Sequence, residues 1–313
     1  MLTGKTPADA QSGHPGHLTP DQQATLTSFR TLLANTTPPL IPASPAREEH
    51  TAKLGYDRYS DAALLRFLRA RKFDQERAKE MWAANEVWRA SFGADELAAD
   101  GFPYPEASQV IKYYPQFYHK TDLRGRPLYI EQLGKLDIPK LYAITTQERQ
   151  LKRLVAEYEK SFRERWPACT EAQRRGGKLA EGEVVETSCT ILDLYNAGIS
   201  SFYRVKDYVM AASAIGQNNC KPLAISHSQP ETMGHMFIIN APYLFSTIWS
   251  LIKPWLDEAT VRKIHILGRN YKSELLEYIP KEHLPVALGG SCVCGGEGGC
   301  EMGDAGPWNV KAA

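Results

Sequence analysis

The most constraining feature of the chain is a short helix that is apolar nearly all the way round. Residues 236–268 have the sequence MFIINAPYLFSTIWSLIKPWLDEATVRKIHILG. They predict a buried strand at 236–239, a break at 240–242 and a helix over 243–256. A surface helix shows a single apolar stripe, and a helix that crosses a bilayer needs about twenty residues. This helix fits neither description, because apolar side chains interrupted only by Ser246, Thr247, Ser250 and Lys253 surround it.

Two interpretations of the helix at 243–256 follow from its pattern, and both stay open at this point. It is either a central core helix, or a helix that faces an apolar cavity on one side and a membrane on the other. After it, Asp257 predicts the cap of a short helical turn, and residues 263–267 predict a strand that ends at Gly268.

Length and composition set broad limits. The 313 residues suggest about two domains. The net charge of +1 gives no electrostatic argument for nucleic-acid binding. No run reaches transmembrane length, and the N-terminal residues lack the apolar region of a signal peptide. Six scattered cysteines do not suggest a disulfide scaffold, so we expect a reducing, cytoplasmic environment.

The first hundred residues predict a helical unit. Residues 1–18 are rich in Gly, Pro and His and predict a disordered tail. A helix opens with Pro20 at its first position, and a Pro-rich linker occupies 35–57. A second helix begins with Asp61 as its cap, and a third covers 75–92. We therefore expect an N-terminal helical unit over residues 19–100.

Residues 101–290 predict an α/β domain with a largely parallel sheet. A hairpin at 113–134 turns around Gly125. There follow a long helix at 139–162, a polar loop at 170–183, a strand at 184–194 and a helix at 202–217. After the elements at 236–267, a last helix covers 273–278, and residues 280–290 end in a short strand. Residues 291–313 form a Cys- and Gly-rich tail.

The sequence contains no recognised catalytic or metal-binding motif. Cys169 and Arg175 have the spacing of a cysteine phosphatase, but the residues between them are not a glycine-rich loop. Cys292, Cys294 and Cys300 have no histidine at the spacing of a zinc finger, and a structural zinc needs four ligands. We therefore predict no catalytic residue, no metal and no cofactor.

Polar residues inside otherwise apolar strands and helices are a stronger indication of a binding site. Ser188 and Thr190 share one face of their strand and would point at a ligand if that face lines a cavity. Tyr118 and Tyr129 lie in the hairpin, and aromatic faces can hold a quaternary ammonium. Plainer roles remain open for all of these residues: a partly exposed strand for the hydroxyls and core packing for the tyrosines. Arg71 would then only complement a helix dipole, and Lys263 would be a surface residue.

Five blocks of sequence, in order, resemble one known family. They are LLRFLRARKFD at 64–74, YYPQFYHKTDLRGRPLYIEQLG at 113–134, VETSCTILDL at 185–194, FIINAPYLFSTIWSLIKPWLDEATVRKIHILG at 237–268 and IPKEHLPVALGG at 279–290. Together they resemble the CRAL-TRIO lipid-binding family, and within it the fungal phosphatidylinositol/phosphatidylcholine transfer proteins. The resemblance covers roughly residues 15–34 and 60–290.

The resemblance implies a helical N-terminal unit and an α/β domain whose mostly parallel sheet floors a large apolar lipid pocket. The helix at 243–256 becomes a gate helix that moves at the membrane, and its predicted functional residues are Leu244, Phe245, Ile248, Trp249 and Ile252. By matched position, Tyr118, Tyr129, Ser188 and Thr190 resemble the phosphatidylcholine headgroup site. Arg71, Glu231, Thr260 and Lys263 resemble the phosphoinositol headgroup site, and Gly290 resembles a structural glycine.

The implied activity is exchange of the two phospholipids between membranes, with presentation of phosphatidylinositol to a lipid kinase and no bond made or broken. The implied setting is a monomer in the cytoplasm that associates transiently with Golgi or endosomal membranes and binds no nucleic acid. Two alternatives remain: a carrier of another hydrophobic ligand, such as a sterol or a tocopherol-like molecule, and a lipid-modifying enzyme. The chain departs from the family pattern in an extra segment at 220–228, in its longer linker and in its Cys/Gly tail.

Overall fold

The computed structural model describes residues 11–196, 231–243, 245, 249–250, 253, 258–295 and 298–310. The predicted helix at 202–217, the extra segment at 220–228, the cap at Asp257 and the gate-helix residues Leu244, Ile248 and Ile252 lie outside these residues. Within the described ranges, every helix is too short or too polar to cross a bilayer.

Six helices form the N-terminal part of the molecule. The first begins with a capping box, in which the Thr19 hydroxyl accepts from the Gln22 amide and the Gln22 side chain returns to the Thr19 amide. Leucine and aromatic side chains of α1, α3 and α4, among them Phe29, Leu64 and Trp82, build one buried cluster. The helices are α1 (Pro20–Ala34), α2 (Ala46–Leu54), α3 (Asp61–Ala70), α4 (Gln75–Phe92), α5 (Ala94–Asp100) and α6 (Ala107–Val110).

The described residues of this region differ from three predictions. The cap of α3 is Ser60, whose hydroxyl accepts from the Ala63 amide, and Asp61 is already helical. The linker predicted at 35–57 contains α2, which ends at Gly55 in the left-handed conformation. Within the tail predicted to be disordered, residues 11–16 form turns. The composition of this segment could not predict its order, because the order depends on a residue far away in sequence. His14 Nδ1 lies 2.6 Å from a carboxylate oxygen of Glu186.

A five-stranded sheet forms the rest of the fold, in the order β1-β2-β3-β4-β5. The hairpin pair β1 (Gln116–Thr121) and β2 (Pro127–Glu131) is antiparallel, as predicted. The next three strands, β3 (Ser188–Asp193), β4 (Met233–Ile239) and β5 (Ile264–Ile266), all run parallel to β2. The helices are α7 (Ile138–Tyr142), α8 (Gln147–Lys160), α9 (Trp166–Arg175), α10 (Glu258–Arg262) and α11 (Lys272–Tyr278).

One face of the sheet is a conventional core. Side chains that alternate along each strand bring Phe117, Ile130, Ile191 and Phe237 into one row across β1 to β4. Leu275 of α11 packs against this row. All five side chains are at most 8% exposed. This face needs no ligand to complete it.

The helices between β2 and β3 differ from the prediction. The helix predicted at 139–162 is interrupted after α7, and α8 begins at the Thr146 cap. Beyond α8, a π-helical turn (Ser161–Arg165) leads directly into α9, which occupies part of the predicted polar loop. Pro167 lies in the first turn of α9, where its missing amide hydrogen is tolerated.

The chain end also departs from prediction. Residues 280–290 form two 3₁₀ turns (Lys281–His283 and Val286–Leu288) and only an isolated bridge between Pro285 and Cys292. The tail then forms α12 (Gly299–Met302) and packs against β1, where the Lys120 amide donates to the Ala305 carbonyl. This packing brings His119 of β1 beside the tail cysteines. The prediction of no metal ligands considered only histidines close to the cysteines in sequence. His119 is distant in sequence but lies beside the cysteines in the folded chain.

A buried ion-pair network joins the helical part to the sheet domain. Arg89 of α4 donates hydrogen bonds from both terminal nitrogens to the Glu159 carboxylate of α8, at 2.8 and 3.1 Å. Its Nε donates to Asp95 at 2.7 Å. The Tyr56 hydroxyl donates to the same Glu159 carboxylate at 2.5 Å. Burial, followed by the charge of Glu159, raises the pKa of Tyr56 far above its usual range. Glu159 is only 1% exposed, so its negative charge depends on these partners.

Replacing Glu159 by glutamine tests this connection. The variant keeps the side-chain volume but leaves the buried Arg89 guanidinium with Asp95 as its carboxylate partner. We expect a loss of about 3 kcal/mol in the free energy of unfolding, because a buried charge that loses its partner keeps its desolvation cost. Urea denaturation measures the loss. The control is Glu148→Gln on the same helix, which alters an exposed pair with Lys152. Equal midpoints for the two variants would contradict this role of Glu159.

Candidate functional site

The second face of the sheet carries the residues that the sequence singled out for a phosphatidylcholine headgroup. The strand register pairs Tyr118 with Tyr129 and Tyr129 with Thr190, so the three residues form one row across β1, β2 and β3. The rings of Tyr118 and Tyr129 lie 5.1 Å apart, centroid to centroid. Ser188 precedes Thr190 by two residues on the same face, and its hydroxyl accepts from Trp166 Nε1 at 3.2 Å. All four predicted residues therefore lie along one side of the sheet.

Tyr118 is held in place by a residue that the sequence analysis did not single out. The Arg165 guanidinium lies 3.8 Å from the centre of the Tyr118 ring, within cation–π range. The Ser161 hydroxyl donates to the Tyr118 hydroxyl at 3.2 Å. Burial raises the pKa of Tyr118, although Arg165 opposes the shift, so the phenol is neutral at physiological pH. The sequence contained an indication that Arg165 is special. Phe162, Arg165 and Cys169 are three and four residues apart, so in a helix the arginine lies on the same side as two apolar residues.

A cavity of about 230 Å³ opens beside the two tyrosines. Its walls come from β1, β2, α6, α8, the π turn and the C-terminal tail. Pockets for drug-sized ligands occupy roughly 300–1,000 Å³, so this cavity by itself is too small for a whole phospholipid. The polar residues at its wall are Tyr104, Tyr114, Gln116, Tyr118, Tyr129, Arg153, Glu157, Tyr158, Arg165, Glu301 and Asp304.

Further along the same face, the surface becomes apolar. Leu192, Met236 and Ile238 follow the row of Tyr129 and Thr190 towards the far side of the sheet. Phe245 and Trp249, two of the predicted gate-helix residues, belong to the cluster that contains these side chains. Phe245 is 9% exposed, whereas Tyr243 at the start of the same segment is 94% exposed. The described part of the gate-helix segment thus has one side against the sheet and one aromatic side chain in solvent.

Three of the four residues predicted for phosphoinositol lie together at the start of β4 and β5. Lys263 Nζ lies 3.1 Å from a carboxylate oxygen of Glu231, and both side chains are partly buried. The Lys263 amide donates to the Thr260 carbonyl at 3.0 Å. The fourth residue, Arg71, caps the end of α3, where its guanidinium donates to the Ala70 carbonyl. The structure thus gives the predicted group one compact centre, formed by Glu231, Thr260 and Lys263.

Gly290 lies where the chain passes very close to itself. A Cβ atom built on Gly290 would be 1.9 Å from the Leu284 carbonyl oxygen, which no side chain can tolerate. The same carbonyl accepts from the Cys292 amide at 3.0 Å. A side chain at Gly290 would therefore displace the segment that leads into the C-terminal tail.

Two family models match the chain. The CRAL/TRIO domain matches residues 111–290, and the CRAL/TRIO N-terminal domain matches residues 25–84. The first match alone covers more than half of the chain. The protein therefore belongs to the CRAL/TRIO family, and the family resemblance noted in the sequence is confirmed.

Relatives that cover nearly the whole chain agree with this assignment. The chain is 50% identical to the Sec14 cytosolic factor of Schizosaccharomyces pombe over 307 residues, which are 98% of this chain and 94% of that protein. It is 48% identical to the SEC14 cytosolic factor of Kluyveromyces lactis, over 97% of this chain and 90% of that protein. It also matches the phosphatidylinositol/phosphatidylcholine transfer protein SFH4 of Arabidopsis thaliana at 43% identity, over 78% of this chain and 38% of that protein.

The solved crystal structure of Sfh5 has the same fold. It aligns with a TM-score of 0.53 over 80% of this chain and 82% of the solved chain, at 15% sequence identity. At that identity the likeness concerns the fold alone. The predicted fold class, helices followed by an α/β domain with a mostly parallel sheet, is confirmed.

Replacing Phe245 by alanine tests the contact between the gate-helix segment and the sheet. We expect a loss of about 3 kcal/mol in the free energy of unfolding, because a buried phenylalanine truncated to alanine loses its apolar contacts and leaves a cavity. Thermal and urea denaturation measure the loss. Tyr243→Ala is the matched control, since its ring is almost fully exposed. Similar losses for the two variants would show that Phe245 does not pack as described.

Proposed function

We propose that this protein exchanges phosphatidylinositol and phosphatidylcholine between membranes and carries each lipid in a pocket above the second sheet face. The observation that carries the proposal is the continuous row on that face, which runs from the paired tyrosines through Thr190 to the apolar side chains of β4. A phospholipid has the same polarity sequence, with a charged headgroup followed by acyl chains. The printed names of the relatives, which include a phosphatidylinositol/phosphatidylcholine transfer protein, support this assignment. Within the proposal, residues 19–100 form the N-terminal unit and residues 101–290 the lipid-binding domain.

Phosphatidylcholine would place its choline at the tyrosine pair and its phosphate near the hydroxyls of β3. Because Arg165 already lies over the Tyr118 ring, the choline cation would meet chiefly the Tyr129 ring. This placement keeps the two cations apart and leaves Tyr118 with a positioning role. Ser188 and Thr190 supply short hydroxyl donors, which suit a phosphate oxygen.

Phosphatidylinositol would use the centre formed by Glu231, Thr260 and Lys263. The Lys263 ammonium can neutralise a phosphate, and Glu231 orients that ammonium through the 3.1 Å ion pair. A carboxylate beside the phosphate also suits an inositol ring, because its hydroxyls are hydrogen-bond donors. Arg71 would contribute from the end of α3. The second headgroup would therefore lie apart from the tyrosine pair.

The acyl chains of either lipid would lie against the apolar part of the sheet face, under the gate helix. Each buried methylene group contributes about 0.8 kcal/mol, so lipid binding is expected to stabilise the protein strongly. This arrangement explains why a helix of about fourteen residues is apolar all round. Its inner side would contact lipid in the pocket, and its outer side, which includes the exposed Tyr243, would contact the membrane during exchange.

Substitutions at the two headgroup centres should separate the two transfer activities. We expect Lys263→Ala or Arg71→Ala to abolish phosphatidylinositol transfer and to spare phosphatidylcholine transfer. The double substitution Ser188→Ala with Thr190→Ala should do the reverse. Vesicle-to-vesicle transfer of each labelled lipid by the purified variants measures both effects.

Matched controls exist for each set. Arg262→Ala removes a positive charge one residue before Lys263, from an exposed ion pair with Glu258, and should leave both activities unchanged. Cys189→Ala changes the opposite face of β3 and should leave the ratio of the two activities unchanged. Equal loss of both activities in every headgroup variant would contradict two separate centres. Mass spectrometry of lipid extracted from the protein would instead favour a different carrier function if a sterol or tocopherol-like molecule predominates.

We further infer that the protein makes and breaks no bond, acts as a monomer, and presents phosphatidylinositol to a lipid kinase at Golgi or endosomal membranes while otherwise residing in the cytoplasm. The relatives named cytosolic factors support the cytoplasmic part. A phosphatidylinositol kinase assay on vesicles tests presentation. The wild-type protein should raise the rate of lipid phosphorylation, and Lys263→Ala should not. An equal effect of Lys263→Ala and Arg262→Ala would overturn this role.

A further inference from the structure

Three cysteines of the C-terminal tail meet one histidine of the sheet. The ligand atoms of His119, Cys292, Cys294 and Cys300 all lie within 4.8 Å of one another. The sulfur atoms of Cys292 and Cys294 are 3.6 Å apart. Around tetrahedral zinc, with Zn–S bonds of about 2.3 Å, two sulfur ligands lie about 3.8 Å apart. The side chains thus already have close to the spacing of a metal-binding set.

The environment of His119 is the strongest indication of a metal in this cluster. Its side chain is fully buried, and neither ring nitrogen has a hydrogen-bond partner among the described residues. An irregularity of β1 between Tyr118 and Thr121, with Lys120 in the left-handed conformation, sets the direction of this side chain. A buried imidazole with both nitrogens unsatisfied is costly. A metal bond to one nitrogen would remove part of that cost.

The tail is folded so that its three sulfurs converge. Gly298 and Gly299 both have positive φ, a conformation that suits glycine, and the turn they form returns the chain to Cys300. The Cys294 amide points at the sulfur of Cys300 at 3.4 Å. Lys120, which follows His119 on β1, donates its ammonium to the Glu282 carbonyl at 2.9 Å. Three thiolates and one Zn²⁺ would carry a net charge of −1, which the Lys120 ammonium offsets.

We propose that His119, Cys292, Cys294 and Cys300 bind one zinc ion that fastens the C-terminal tail to β1. Three thiolates and one imidazole are a donor set typical of structural zinc. With four protein ligands the ion has no open position, so its role is structural and not catalytic. All three cysteines are unpaired in the structure. A disulfide between any two of them would leave the third thiol and His119 without a partner.

The zinc site has a consequence for the cavity beside Tyr118. Glu301, Met302 and Asp304 follow the last zinc ligand directly and form one wall of that cavity. Lys160 holds the same wall through Asp304, at 3.0 Å. Loss of the metal would therefore loosen a wall of the cavity and expose the glycine-rich tail.

The zinc content of the purified protein tests the proposal. Tag-free protein, prepared under reducing conditions and dialysed against a weak chelator, should contain about one zinc per chain by inductively coupled plasma mass spectrometry. His119→Ala and Cys294→Ser should each lose most of that zinc. The matched control is Cys169→Ala, a buried cysteine in α9 remote from the tail in sequence, which should keep one zinc. Equal zinc content in the His119 variant and the wild-type protein would overturn the proposed ligand set.

Two further measurements use the wild-type protein, so their results do not depend on whether a variant folds. Cobalt added to the metal-stripped chain should give the charge-transfer and d–d absorption bands typical of tetrahedral cobalt bound by thiolates. Removal of zinc by a strong chelator should speed proteolytic cleavage of the tail, and added zinc should restore protection. Absence of the cobalt bands, or an intact mass that reveals a disulfide among the tail cysteines in freshly purified protein, would overturn the proposal.

Discussion

The register of the five-stranded sheet is the constraint on which the rest of the structure depends. Side chains alternate between the faces of a strand, so a shift of one residue would exchange the two faces. In the observed register, Phe117, Ile130 and Ile191 form a dry core with α11, while Tyr129 and Thr190 reach the opposite side. The parallel pairing of β2 to β5 extends this separation across the sheet. One face is therefore a protein core, while the other carries hydroxyls and apolar side chains.

Buried charges connect the two parts of the molecule. The carboxylate of Glu159 meets Arg89 from the helical part, and that of Glu186 meets Arg69 of α3 at 2.9 Å together with His14. Burial alone would raise the pKa of Glu186, but Arg69 and His14 outweigh it and lower the pKa below its usual value. Such carboxylates depend strongly on their partners, because a lost partner leaves an uncompensated charge. The helical part is thereby held against the elements that carry the second face of the sheet.

The C-terminal tail contributes more to the site than its composition suggests. It packs along β1, supplies one wall of the cavity beside Tyr118, and brings Asp304 to 3.6 Å from Arg165. Arg165 in turn lies over the Tyr118 ring. The orientation of that tyrosine therefore depends on a segment nearly two hundred residues further along the chain. Under the proposed function, the tail would therefore shape the headgroup end of the pocket.

Local patterns determined much of this protein. Periodicity and turn chemistry were enough to place α4, the β1–β2 hairpin and the strands β3 to β5, and five ordered blocks of sequence were enough for the family. Ser188 and Thr190 were recognised because alternation along a strand is a local property. Only the tertiary structure decided which partners meet across the chain. It orders residues 11–18 through the contact between His14 and Glu186, and it places the Arg165 guanidinium over the Tyr118 ring. It also brings His119 beside Cys292, Cys294 and Cys300. These contacts join residues far apart in sequence, and their energies come from burial and charge pairing that no local pattern contains.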